Sequence, residues 1–334
     1  MTTKPRTTVV VPVRNNEDTI APVLQALTNQ DYKDYEVIVV DGSSTDQTRD
    51  IATRYPVKIL IEKGKGPNYA RNLGVQNASG EIVAFIDGDC KPDKEWLKAL
   101  VENFASPEVG CGGGTIAVWN EESYLARYGF WAKIPVMPRF ESRMTQHTKR
   151  FNELPVSANM AVKKEVFTKA GLFDTTFCGG FEETDLLWRI VKAGYKIIAD
   201  PKAVVYHRHR TTFRGLLKQT WVYGVGAGLY CRKHPDSPVT QKYHKYKNAF
   251  LTSIGGLVIS IALAALYSPI FYILTALIAL APLGWSTSHS IRIARKNREW
   301  AAIFYPIFDY VRATYFCLGQ MYGEHIKFRK EKPS

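Results

Sequence analysis

Residues 66–89 read GPNYARNLGVQNASGEIVAFIDGD, and this stretch decides the fold class. Pro67 suits the first turn of a helix, and Ser79-Gly80 stops the helical pattern just after Asn77. The run IVAFI at 82–86 is then apolar throughout, as in a strand buried on both faces, and it ends at Asp87-Gly88-Asp89. The same grammar repeats upstream. Apolar runs at 8–13, 36–40 and 57–61 read as strands, and 19–27 and 46–53 read as helices. Strands alternating with helices predict an α/β domain built on a mostly parallel sheet flanked by helices. Ligands of such sheets bind at the carboxyl ends of the strands. PVRNNED (12–18), DGSSTDQT (41–48) and DGDC (87–90) all fall there.

Taken alone, Asp41-Gly42 reads as a turn, and Thr45 or Asp46 as a cap for the next helix. Asp87 and Asp89 differ. Two carboxylates two residues apart at the end of a buried strand repel each other unless a cation joins them. Mg²⁺ or Mn²⁺, which take oxygen ligands and bridge to phosphates, would serve. At 179–190 the chain reads GGFEETDLLWRI, where a glycine turn precedes Glu182, Glu183 and Asp185 at the head of a helix running to about residue 191. Acids at that position also stabilise the helix dipole. HRHR at 207–210 follows a strand-like run, which puts His207 and His209 on one face.

The chain holds 44 Lys+Arg against 31 Asp+Glu, a net charge of +13, which points to an anionic partner. No nucleic-acid-binding motif accompanies that charge, so no nucleic-acid partner is expected. The charge is unevenly placed. Between Lys247 and Arg292 lie 44 residues with no Asp, Glu, Lys or Arg, enough for two membrane helices at 250–267 and 270–285 joined at Ser268-Pro269. Residues 201–247 carry ten Lys/Arg and one acid, Asp236, and Arg292, Arg295, Lys296 and Arg298 follow the hairpin. The positive-inside rule puts both flanks, and the catalytic part with them, on the cytoplasmic face of a membrane. Residues 213–230 read as an interfacial helix. Residues 300–322 carry Asp309 and Arg312 and read as an interfacial or partly inserted helix, with a third span as the alternative. The tail IKFRKEK suits anionic lipid headgroups. The polar N-terminal residues and the short apolar run after them are expected to begin in the cytosol. Five scattered cysteines argue against a disulfide framework or a zinc site.

Five segments, VVVPVRNNEDTI, EVIVVDGSSTDQT, GPNYARNLGVQNASGEIVAFIDGDCKPDKEWL, VSANMAVKKEVFTKAGLFDTTF and GGFEETDLLWRI, occur in that order. Together they resemble the nucleotide-sugar-dependent glycosyltransferases of family 2, whose fold is the Rossmann-like GT-A. The resemblance, which covers residues 8–210, and the charge pattern above together divide the chain into a catalytic domain (1–210), a basic interfacial amphipathic linker (211–247), a membrane hairpin (248–291) and a C-terminal part (292–334). It implies that Pro12, Val13 and Asp41 hold the base and ribose, and that Asp87 approaches the ribose or a metal. Asp89 would ligate the metal, Mg²⁺ or Mn²⁺, and His207 would contact metal or diphosphate. Lys65 and Arg71 would contact the nucleotide or diphosphate, with a structural ion pair as the other reading of Arg71. The family's second acid at the GGFEETD position serves as general base. Here it is Glu183 in place of the usual Asp, and Asp185 is the second candidate.

The implied reaction is inverting transfer of one sugar from a UDP- or GDP-linked donor to a lipid-linked or glycolipid acceptor among the membrane lipids. Residues 119–151 fall where the family places acceptor-side variation. The QxxRW of processive synthases is absent after Gln219, which favours single addition. A silent membrane scaffold or sugar-nucleotide sensor, and a nucleotidyltransferase, are the alternatives. The second lacks its Gly-rich phosphate loop after the first strand.

Overall fold

The computed structural model describes residues 7–132, 137–177 and 179–326. The chain forms two compact units, one of residues up to 126 together with 137–209, the other of 127–136 and 210–327.

The first unit is a sheet with helices on its faces. In chain order its elements are β1 (Thr7–Val13), α1 (Ile20–Thr28), β2 (Tyr35–Asp41), α2 (Thr48–Ala52), β3 (Lys58–Ile61), α3 (Pro67–Asn77), β4 (Ile82–Phe85), β5 (Cys90–Pro92), α4 (Trp96–Glu102) and β6 (Val109–Val118). Then come α5 (Tyr124–Trp131), whose later residues belong to the second unit, β7 (Met144–Gln146), β8 (Met160–Lys163), α6 (Val166–Ala170), α7 (Glu182–Lys192) and β9 (Lys196–His207). The strand order is β3-β2-β1-β4-β8-β6-β9-β5, with β7 on β9. β3, β2, β1 and β4 are mutually parallel, β8 runs antiparallel to β4 and β6, and β6 is parallel to β9.

All seven residues of β1 are buried, as expected of a continuous apolar run covered on both faces. Val9, Val11, Val37, Val39, Ile82 and Ala84 meet Leu24, Leu27, Trp96 and Leu100 in one core cluster. On the other face Phe85 packs edge-on against Phe167 and Phe173. Register brings the polar strand ends level: Val13 lies opposite Asp41, and Val10 opposite Phe85, two residues before Asp87.

Two glycine positions position the site. A Cβ on Gly74 would stand 2.3 Å from Val10 Cγ1, so only glycine lets α3 lie this close on β1 with Arg71 one turn earlier. A Cβ on Gly114 would stand 1.9 Å from the Ala203 carbonyl oxygen, where β6 and β9 slip register. Asn159 ties that slip together, donating to the Thr115 and Ala203 carbonyls while accepting from Trp96 Nε1. β6 reads VGCGGGTIAV. Its glycines, crowded by neighbouring side chains at 110 and 112 and by backbone at 113 and 114, hide it from a pattern search for branched strands.

The second unit is helical: α8 (Phe213–Lys233), α9 (Pro238–Leu266), α10 (Phe271–Asn297) and α11 (Tyr305–His325). The turn between α9 and α10 falls at Ser268-Pro269, and Phe271 N–H donates to the Ser268 carbonyl. Among the described residues α9 is the one helix long and apolar enough to cross a membrane. α10 passes the same test only as a pair of segments bent by 50° between Ala281 and Ser286. α8 and α11 cross through glycine, since a Cβ on Gly224 would lie 2.3 Å from the Phe316 carbonyl oxygen and one on Gly323 would lie 2.2 Å from that of Val225. Asp309 and Arg312 are buried in this unit, with Arg312 Nε donating to Thr220 Oγ1 at 2.7 Å and Tyr128 donating to Asp309 at 3.1 Å. The basic tail beyond Ile326, and Cys178, lie outside the described residues; the four described cysteines are free and buried.

Gly74→Val forces α3 off β1, and we expect a stability loss of about 1–3 kcal/mol, read from urea unfolding. An unchanged midpoint would contradict this account of the α3–β1 contact.

Candidate active site

The loops after β1 and β2 brace each other. Gly42 N–H donates to the Val13 carbonyl, Asn15 N–H to Ser44 Oγ, and Thr45 N–H to Asn15 Oδ1. Asn15 and Ser43 hold left-handed backbone conformations (φ 54° and 59°), uncommon for residues with a Cβ, as the tight reversals above Pro12, Val13 and Asp41 require. The Asp41 carboxylate is buried and accepts from Ser44 N–H at 3.1 Å. Glu62, also buried, accepts from the N–H groups of Lys65 and Gly66. Lys65 itself is exposed and leaves its ammonium 5.1 Å from the Tyr69 ring centroid. Asn15, Ser43 and Ser44 were not singled out from the sequence. The feature that could have revealed them is the polar run on each side of a strand-end turn.

α3 carries the connecting group. Arg71 is 4% exposed and reaches Asp87 at 2.9 Å and Glu182 at 3.4 Å, so two acids 95 residues apart in sequence share one guanidinium. Arg71 also donates to Asn68 Oδ1, and Asn68 Nδ2 donates to the Asp174 and Phe177 carbonyls. Asn72 and Phe173 exchange two further hydrogen bonds. PNYARN therefore clamps the loop that leads into the acidic helix. Burial works to lower the Arg71 pKa, but Asp87 and Glu182 outweigh it and hold it above its ordinary value.

α7 begins at Glu182, preceded by Phe181 in the left-handed region (φ 69°). Glu183 is half-buried. Desolvation, then the neighbouring Glu182 charge, push its pKa up to about 8. Burial likewise raises Glu182, against the pull of Arg71. Asp185 is fully buried and faces Arg189, which donates to it at 2.7 and 2.9 Å and also reaches the Ala170 and Leu172 carbonyls.

β5 and β9 complete the rim. Pairing of Cys90 with His207 brings His207 Nε2 to 3.7 Å from Asp89 Oδ1. Donor atoms of Asp89, Cys90 and His207 lie within 4.8 Å of one another. Oxygen and imidazole donors suit Mn²⁺ or a similar divalent ion. The Cys90 thiol is fully buried, and desolvation followed by Asp89 and Asp87 raises its pKa, so it keeps its proton and is the weakest donor of the three. His207 is oriented from behind by His209, whose Nδ1 lies 3.3 Å from its own, while His209 is held through backbone hydrogen bonds with Asn120. The structure thus brings Asp89 to His207 and Asp87 to Arg71.

A parallel nucleotide-type half-sheet, an antiparallel insertion and an acidic rim define a GT-A glycosyltransferase fold. Residues 8–171 match the family described as Glycosyl transferase family 2. Glycosyltransferase AglE of Haloferax volcanii is 31% identical over 236 residues, covering 67% of this chain and 73% of that protein. The chain belongs to this family. Pre-mycofactocin glycosyltransferase of Mycobacterium tuberculosis is 32% identical over 234 residues, covering 69% of this chain and 48% of that protein, so the chain matches about half that relative's length. A mannosyltransferase from Pyrobaculum calidifontis, solved with GDP-Man and Mn²⁺, shares the fold with a TM-score of 0.59 at 22% identity, over 97% of this chain and 88% of that one.

Arg71→Met leaves Asp87 and Glu182 without their shared cation. The expected loss is roughly 3–5 kcal/mol, and adding Glu182→Gln should recover part of it in a denaturation double-mutant cycle. Additive losses would show that the two do not interact.

Proposed function

We propose that the chain is an inverting glycosyltransferase that moves one sugar from a nucleoside-diphosphate donor to a lipid-linked or membrane-proximal acceptor. One observation carries the reading: Arg71 joins Asp87, two residues from the Asp89–His207 pair, to the acidic head of α7. A charge-stabilising group and a proton acceptor are thereby built into one rim, as a displacement at an anomeric carbon requires.

In this reading the cradle of 12–16 and 41–45 takes base and ribose, with Asp41 held rigid by Ser44. Asp89 and His207 would hold a divalent ion, Mn²⁺ or Mg²⁺, which would supply Lewis acidity toward the leaving diphosphate. Asp87, neutralised by Arg71, stands toward the ribose, and exposed Lys65 is free to meet the nucleotide. Glu183 takes the proton from the acceptor hydroxyl as its oxygen attacks the anomeric carbon, and the nucleoside diphosphate leaves from the opposite face. Asp185 serves to position Arg189 and the loop 170–172, not to move a proton. The apolar α9–α10 hairpin, exposing Val258, Ile259, Leu266, Ile273 and Leu277, anchors the protein in a membrane with the basic flanks on the cytoplasmic side.

The test is nucleotide release from a panel of UDP- and GDP-sugars with membrane lipid extract and Mn²⁺. One donor should react, and Glu183→Gln should slow it by about 10²–10⁴-fold while leaving stability nearly unchanged. Asp185→Asn should show the reverse, with a loss of stability dominating. No release by folded protein from any donor would sink the proposal. The pH profile follows from Glu183: a base with a raised pKa is mostly protonated below about 8, so kcat/KM rises with pH and levels above that value. By linkage the same shift stabilises the fold below about 4.5, the ordinary value of a glutamate, and that contribution is lost as pH rises through about 8. A rate that is flat from pH 6 to 9 would remove Glu183 from the role.

A further inference from the structure

Near the end of α10, Ser288, Ile291, Arg292, Arg295 and Lys296 fall at spacings of three and four, so they form one stripe on the helix. The stripe lines a shallow, open pocket at the surface, and all five residues are exposed. Like charges three and four residues apart repel, and the negative end of the helix dipole offsets this only in part. Two other basic groups of this unit do have acidic partners: Lys247 pairs with Glu324 at 2.5 Å, and Arg127 with Glu299 at 2.7 Å. Among the described residues no acid pairs with Arg292, Arg295, Lys296 or the adjoining Arg298. The site thus gathers unanswered positive charge around an open surface pocket, with Ser288 as a small hydrogen-bonding group and Ile291 as an apolar neighbour.

What surrounds it narrows the ligand. The same helix exposes Tyr272, Ile273, Leu274, Leu277 and Leu280 further toward its start, and Trp300 follows its end at 68% exposure. Apolar side chains followed by cations and an aromatic ring are the residue types that gather where a helix meets the boundary of a bilayer. Guanidinium groups recognise phosphate oxygens through paired hydrogen bonds. We propose that this pocket holds the phosphate of an anionic glycerophospholipid at the cytoplasmic base of the hairpin. The inference rests on the membrane-anchored reading above. It adds a specific headgroup site to the general attraction of basic flanks.

Native mass spectrometry of the full chain in neutral detergent, with phosphatidylglycerol or phosphatidylcholine added, tests it. Wild type should retain phosphatidylglycerol preferentially. Arg292→Gln/Arg295→Gln/Lys296→Gln should weaken that binding on the order of a hundredfold, and Arg295→Gln alone about fivefold. Donor hydrolysis in detergent should be unchanged. Equal retention of the two lipids, or unaltered binding in the triple variant, overturns the site, as does inorganic phosphate binding as tightly as the lipid. Flotation with phosphatidylcholine vesicles reads the anchor separately. Wild type that floats but shows no preference overturns the headgroup site alone; wild type that floats on neither neutral nor anionic vesicles overturns the membrane reading with it.

Discussion

A single buried guanidinium organises the catalytic unit. Arg71 stands between Asp87, at the end of a central strand, and Glu182, at the head of α7. Without it, the buried Glu182 carboxylate would face Asp87 with no cation between them. With it, Asp87 keeps a partner, while burial and then the Glu182 charge push Glu183 up against the pull of Arg71. The position of Arg71 depends in turn on Gly74, which lets α3 lie on β1, and on Asn68 and Asn72, which tie the preceding loop to the same helix. Packing, charge balance and the reactivity of the rim therefore share one short helix.

The helical unit solves a different problem. Its buried charges each have a hydrogen-bond partner, Tyr128 for Asp309 and Thr220 for Arg312 Nε. The hairpin instead leaves apolar side chains such as Val258, Ile259, Leu266, Ile273 and Leu277 exposed. The basic excess of the whole chain divides accordingly. Some of it is neutralised by Glu324 and Glu299, and some stays unpaired at the end of α10.

The strand ends were legible because branched apolar runs stop abruptly at Asp41 and Asp87, and a parallel sheet must present those ends together. α3 was read to the residue, since Pro67 and Ser79-Gly80 punctuate it. Which acid Arg71 meets was not legible, because Glu182 lies 111 residues away and only tertiary packing joins them. The same limit applies to Glu183 and Asp185. Both crowd the start of one helix in sequence, and only the fold shows that Asp185 is turned to Arg189. β6 escaped notice because its glycines serve close approach and not strand propensity. The helices of the hairpin extend beyond the uncharged run, to Pro238 and Asn297, because charged side chains at a helix end do not stop its hydrogen bonding.

The account stands on a carboxylate of α7 accepting a proton while the diphosphate leaves from the far side of the sugar. Product stereochemistry tests this most directly. Once the reacting donor is known, the anomeric proton coupling of the isolated product should report a configuration inverted from that of the donor. Retained configuration would contradict a single displacement and the role given to Glu183.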